Sequence, residues 1–70
     1  MFLPDGQKMD SPLSEAIIGV LPAGSTFGFN TDGQRVWIDV IGPDLSRDRE
    51  ISRAVLNTAL ASLGRPVLDS

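Results

Sequence analysis

Two short runs of aromatic and β-branched residues meet at Asp32-Gly33, and this junction constrains the fold more than any other feature of the chain. Residues 26–30 (Thr-Phe-Gly-Phe-Asn) and 35–40 (Arg-Val-Trp-Ile-Asp-Val) flank Thr31, Asp32, Gly33 and Gln34. Such runs on either side of Asp-Gly signal a β-hairpin. With Asp32-Gly33 as a two-residue turn, Thr31 faces Gln34, Phe29 faces Val36, Phe27 faces Ile38 and Ser25 faces Val40. The strongly apolar pairs then share one face, as a one-sided sheet demands. The other face carries Asn30 opposite Arg35, Gly28 opposite Trp37 and Thr26 opposite Asp39. A rival three-residue loop, a type I turn with a glycine bulge, shifts the pairing by one and brings Trp37 beside Phe27. It splits the apolar set between faces, so the two-residue loop is preferred.

Helical spacing flanks the hairpin on both sides. Ser11-Pro12 is a start signal, with Ser at the N-cap and Pro at the first helical position. Leu13, Ala16, Ile17, Val20 and Leu21 follow at i, i+3, i+4, i+7 and i+8. Pro22 and Gly24 stop the pattern, so a helix is expected over 12–21, although residues 17–21 also suit a buried strand. After Gly42-Pro43, Asp44 or Ser46 is a candidate cap for a second helix over about 45–63. Its stripe is Ile51, Ala54, Val55, Leu56, Ala59, Leu60 and Leu63, and Gly64 and Pro66 end it. Residues 1–10, punctuated by Pro4, Asp5-Gly6 and Asp10, read as a flexible arm. Residues 11–66 form a single domain and 67–70 a tail. Phe2 and Leu3 are free to dock on the core or to join a sheet edge, and Val67-Leu68 to cover the core or pair as a third strand. The expected class is α+β in the order α-β-β-α, with a core of Ile17, Val20, Leu21, Phe27, Phe29, Val36, Ile38, Val40, Ile51, Val55, Leu56, Ala59, Leu60 and Leu63.

Composition narrows the chemistry. The chain has 70 residues and neither His nor Cys. Disulfides, thiolate metal sites and cysteine nucleophiles are therefore excluded, and the commonest general acid/base is missing. A domain of this size buries only roughly 60% of its unfolded surface, so a second copy is a standing expectation. A net charge of −3 opposes duplex nucleic acid, which rewards clustered Lys and Arg. The longest apolar run, residues 16–21, falls far short of the ~20 residues that span a bilayer. The first residues lack a basic segment followed by a long apolar one, so no signal peptide is expected and the cytoplasm is the default compartment.

The remaining constellations are sparse. Asp44 and Asp48 lie four apart near a helix start but lack the alternating pattern of a calcium loop, and they read as cap and dipole charge. The serine in residues 19–25 lacks the lysine and spacing of a phosphate-binding loop. No catalytic residue, metal or cofactor is expected. Trp37 stands out on the face away from the apolar layer, where it is either filler over a cross-strand glycine or an interface residue. Arg35, Asp39 and Thr26 share that face. Arg49 and Arg53 lie near one face of the second helix, after Arg47, with Asp48 and Glu50 interleaved. These six, Trp37, Arg35, Asp39, Thr26, Arg49 and Arg53, are the candidate partner-binding residues. A two-stranded hairpin also leaves unpaired edges that the arm, the tail, a second copy or a target must cover.

The expected function is that of a non-enzymatic protein-binding regulator, of inhibitor or adaptor type, which occupies a surface of a larger protein. It compares in size and chemistry with small bacterial or phage-encoded regulators. One alternative is a structural, self-assembling homodimer whose sheet runs through a two-fold axis. A weaker one is a nucleic-acid-binding module using Arg47, Arg49 and Arg53.

Overall fold

A computed structural model describes residues 1–68, and the last two residues of the expected tail lie outside them. The element order is α1 (Ser11–Val20), β1 (Thr26–Thr31), β2 (Val36–Ile41) and α2 (Arg49–Ser62), an α+β arrangement in the expected order. No helix among the described residues is long and apolar enough to cross a membrane.

Each helix is capped by a residue other than the one the sequence suggests. Asp10, not Ser11, caps α1: its carboxylate accepts from the Leu13 amide at 3.0 Å, which leaves Ser11 and Pro12 inside the first turn. Asp48, rather than Asp44 or Ser46, caps α2, accepting from the Glu50 and Ile51 amides at 2.8 and 3.1 Å. Residues 45–48 stay out of the helix because the preceding loop closes on itself. Gly42 N–H donates to Ser46 O, Leu45 N–H donates to Gly42 O, and Leu45 holds a φ of 67° that no right-handed helix allows. At the far end, Gly64 has a φ of 70°, its N–H donates to Ala61 O, and Arg65 N–H donates to Leu60 O. This is the paired bonding of a Schellman stop, the role expected of Gly64.

The hairpin register differs from the expected one. Phe27 pairs with Val40, Phe29 with Ile38, Asn30 with Trp37 and Thr31 with Val36, a slip of two residues along β2. The cause is local hydrogen bonding in the turn. Asp32 accepts from the Gln34 and Arg35 amides at 2.9 and 2.8 Å, while the Thr31 hydroxyl accepts from the Gly33 amide and donates to Arg35 O. Together they make a loop of residues 32–35 more favourable than a two-residue turn. Because the slip is even, the division of residues between faces is the expected one. Trp37 lies opposite Asn30 instead of Gly28, and Asp39 lies opposite Gly28 instead of Thr26.

The core is organised on β2. Val36, Ile38 and Val40 are buried against Leu13 and Ile17 of α1 and Val55, Leu56, Ala59 and Leu60 of α2. Val20, Leu21, Phe27 and Leu63 pack at its margin. Two expected core residues are exposed, Phe29 at 55% and Ile51 at 45%. Phe29 belongs to β1, where five of six residues are exposed because the helical layer does not extend beneath it. Ile51 is displaced by its neighbour, since the buried stripe of α2 is Ser52, Val55, Leu56, Ala59 and Leu60. Ser52 sits inside because its Oγ accepts the Val40 amide at 3.1 Å.

Residues 1–3 complete the sheet. Phe2 forms an antiparallel bridge to Trp37, Leu3 N–H donates to Val36 O at 2.9 Å, and Ile38 N–H donates to Met1 O at 2.8 Å. Leu3, absent from the expected core, is buried. The described part of the tail, residues 67 and 68, lies in no strand; Leu68 packs against the core and its N–H donates to Asn57 Oδ1 at 2.7 Å. Arg65 clasps Asp10 through two bonds of 3.1 and 2.8 Å.

Two predictions follow from this packing. Ser52→Ala strands the buried Val40 amide and is expected to lower stability by about 1–3 kcal/mol, although alanine is the better helix former; urea denaturation measures it. The Asp10 carboxyl is held below its usual 3.8 first by the Arg65 hydrogen bonds and then by the Leu13 amide. A folded-state value below the unfolded one means stability that is present above pH 3.8 and lost as pH falls through the folded value. Asp32, held down by the Arg35 and Gln34 amides, and Asp44, held down by Ser46, act in the same sense. Thermal melts are therefore expected to be flat from pH 7 to about 5 and to fall below about 4, with a shallower fall in Asp10→Asn, which keeps a capping oxygen but loses the charge.

Candidate functional site

The edge pairing of residues 1–3 builds the most distinctive surface of the molecule. In an antiparallel pair, residues that face each other without exchanging hydrogen bonds bring their side chains closest. Phe2 and Trp37 are such a pair, because the bonds on either side run through Leu3 and Met1. Their rings meet edge to face, with centroids 4.8 Å apart and planes at 86°. The guanidinium carbon of Arg35 lies 3.9 Å from the centre of the Phe2 ring. Trp37 Nε1 donates to Asp39 Oδ2 at 3.0 Å, which fixes the indole from its other side. Asp39 in turn lies 3.9 Å from an Arg47 nitrogen and 4.0 Å from the Met1 ammonium. Burial lowers the pKa of that ammonium, Asp39 acts to raise it, and Arg49 lowers it further.

The row is held in place yet partly open, with Phe2 at 41% and Trp37 at 39% exposure. Beside it runs a groove of about 570 Å³ between residues 1–5, the first turns of α2 and residues 66–68. Phe2 and Trp37 give it an aromatic side, Arg35, Arg49 and Arg53 a cationic one, and Asp5 a single carboxylate. On the far side of the indole a smaller hollow of about 340 Å³ is bordered by Asp39 and Arg47.

The structure thus brings together five of the six candidate residues. Arg35, Trp37 and Asp39 form one connected row, and Arg49 and Arg53 face the same groove as Arg35 and Trp37. Thr26 is not part of it; it pairs with Ile41 at the end of the hairpin away from Arg35. Phe2 and Arg47 belong to the surface but not to the candidates. The sequence groups Arg47 with the helix cations, and it offers Phe2 to a sheet edge without a period that fixes the pairing. Among the described residues no three Asp or Glu gather as a metal site, and no buried side-chain nitrogen or oxygen lacks a hydrogen bond. Comparison with protein-family models, with curated proteins and with solved structures finds no match to this chain.

Phe2→Ala is expected to cost about 1 kcal/mol through loss of the edge-to-face contact. It should also move the emission of Trp37, the sole tryptophan, to longer wavelength. Unchanged emission would show that the ring pair does not form in solution.

Proposed function

We propose that this chain is a non-enzymatic protein-binding module that docks on a larger protein through the Phe2–Trp37 face and the groove beside it. One observation carries the reading: the sole tryptophan is partly exposed, yet held by an aromatic edge on one side and a carboxylate on the other. An indole fixed before contact loses little rotamer freedom on binding, and Trp and Arg are enriched among the residues that dominate interface energies. The three guanidiniums along the groove suit a partner segment that offers carboxylates next to an apolar side chain. A peptide or domain of that kind is favoured over a nucleic acid strand by the Asp5 and Asp39 carboxylates at the same surface and by the net charge of −3. Neither the regulator reading nor a cytoplasmic setting depends on any enzymatic step.

Affinity capture with the wild-type chain and with Trp37→Ala tests this, followed by titration of the recovered protein in purified form. Trp37→Ala is expected to weaken the purified pair by about 2 kcal/mol, roughly 30-fold. Equal binding by the variant would overturn the docking face. A labelled single strand that binds with steep salt dependence would replace the protein partner by nucleic acid.

A further inference from the structure

We infer that the free edge of β1 pairs with β1 of a second copy about a two-fold axis through Gly28, joining two hairpins into one continuous sheet. The proposal uses a surface separate from the Trp37 face and stands or falls independently of it.

The argument begins at the opposite edge of the sheet. Val36 and Ile38 direct their backbone groups to residues 1–3, and the Val40 amide goes to Ser52 Oγ. The outer edge of β2 is thereby closed from inside the chain. Trp37, Asp39 and Ile41 alternate with these residues and direct their groups towards β1. Their partners Asn30, Gly28 and Thr26 are then the inward-pointing residues of β1. Phe27, Phe29 and Thr31 point their N–H and C=O groups outward, and among the described residues no segment pairs with them.

Natural edge strands are guarded by charges, prolines or bulges. This one has none of them. Charged residues make up 21% of the chain, but residues 26–31 (Thr-Phe-Gly-Phe-Asn-Thr) hold no charge and no proline. Two copies of a chain with a net charge of −3 meet here without placing like charges opposite each other. The hydrogen-bond pattern selects the register. With Gly28 on the axis, Phe27 of one copy and Phe29 of the other are both outward-pointing and exchange both backbone bonds, and the symmetric pair repeats this. The exposed Phe29 ring then lies across from a Phe27 ring on the same face. The neighbouring register, with Phe29 on the axis, would require the Thr31 amide, which Asn30 Oδ1 already accepts at 3.2 Å.

The test uses the full chain. Sedimentation equilibrium from about 5 to 500 µM, the range appropriate to a small interface, is expected to show the mass rising from 7.5 kDa towards twice that value. Phe29→Lys should remain a monomer throughout, because two lysines would enter the new strand pair, while Trp37→Ala should dimerise as the wild type does. Amide exchange provides a readout that needs no substitution. Protection of the Phe27 and Phe29 amides is expected to grow with protein concentration, whereas that of Gly28 and Asn30 stays constant. A wild-type monomer at 500 µM, a Phe29→Lys dimer, or a dimer without concentration-dependent protection of Phe27 and Phe29 would each overturn the proposal.

Discussion

The need of a buried strand to satisfy its backbone on both edges organises this molecule. Val36, Ile38 and Val40 are buried, so the polar groups beside them have little access to water. One edge is served by β1. The other draws on residue 1, residue 3 and residue 52, parts of the chain that otherwise have nothing in common. The Trp37 surface is a consequence of that closure. Once residues 1–3 lie along β2, Phe2 falls opposite Trp37 on the outer face, and the ring pair, the Arg35 stack and one wall of the groove follow.

The charges show a similar division. Asp10, Asp32, Asp44 and Asp48 each accept at least one backbone amide at a cap or turn. Asp10 is further engaged by Arg65. Much of the acidity of the chain is thus spent on local geometry, spread over different ends of the fold. Arg35, Arg49 and Arg53 converge on one groove. A chain that is acidic in sum can therefore present a locally cationic surface.

The readable parts of the fold were those with a period. The stripe of α2 and the alternation of the hairpin identified both elements and divided the faces of β2 correctly, because an even slip leaves parity intact. Register was harder. It depended on whether the Asp32 carboxylate and Thr31 hydroxyl would bond to the turn, a competition that pattern alone does not rank. Ser52 could have been found by stepping back three residues from Val55, but a serine in a stripe reads as a boundary until its Val40 partner is known. Leu3 was offered to the core or to a sheet edge, but the scattered apolar residues of the arm have no period that decides between the two. Phe29 was misplaced for the opposite reason: the strand pattern was right, but it does not report how far the helices extend beneath the sheet. At the site, the shared face of Arg35, Trp37 and Asp39 was legible from alternation. Its proximity to Arg49 and Arg53 arose from tertiary packing.

The bond between Ser52 and Val40 has a further consequence for biosynthesis. Residues 1–3 are made before residues 36–38 and have no strand to join until these have followed. The Val40 amide then stays open until the first turn of α2 emerges. A nascent chain stopped before that point lacks the α2 residues that share the core with Val36, Ile38 and Val40. Stalled or truncated products would accordingly expose apolar surface of the kind that chaperones recognise.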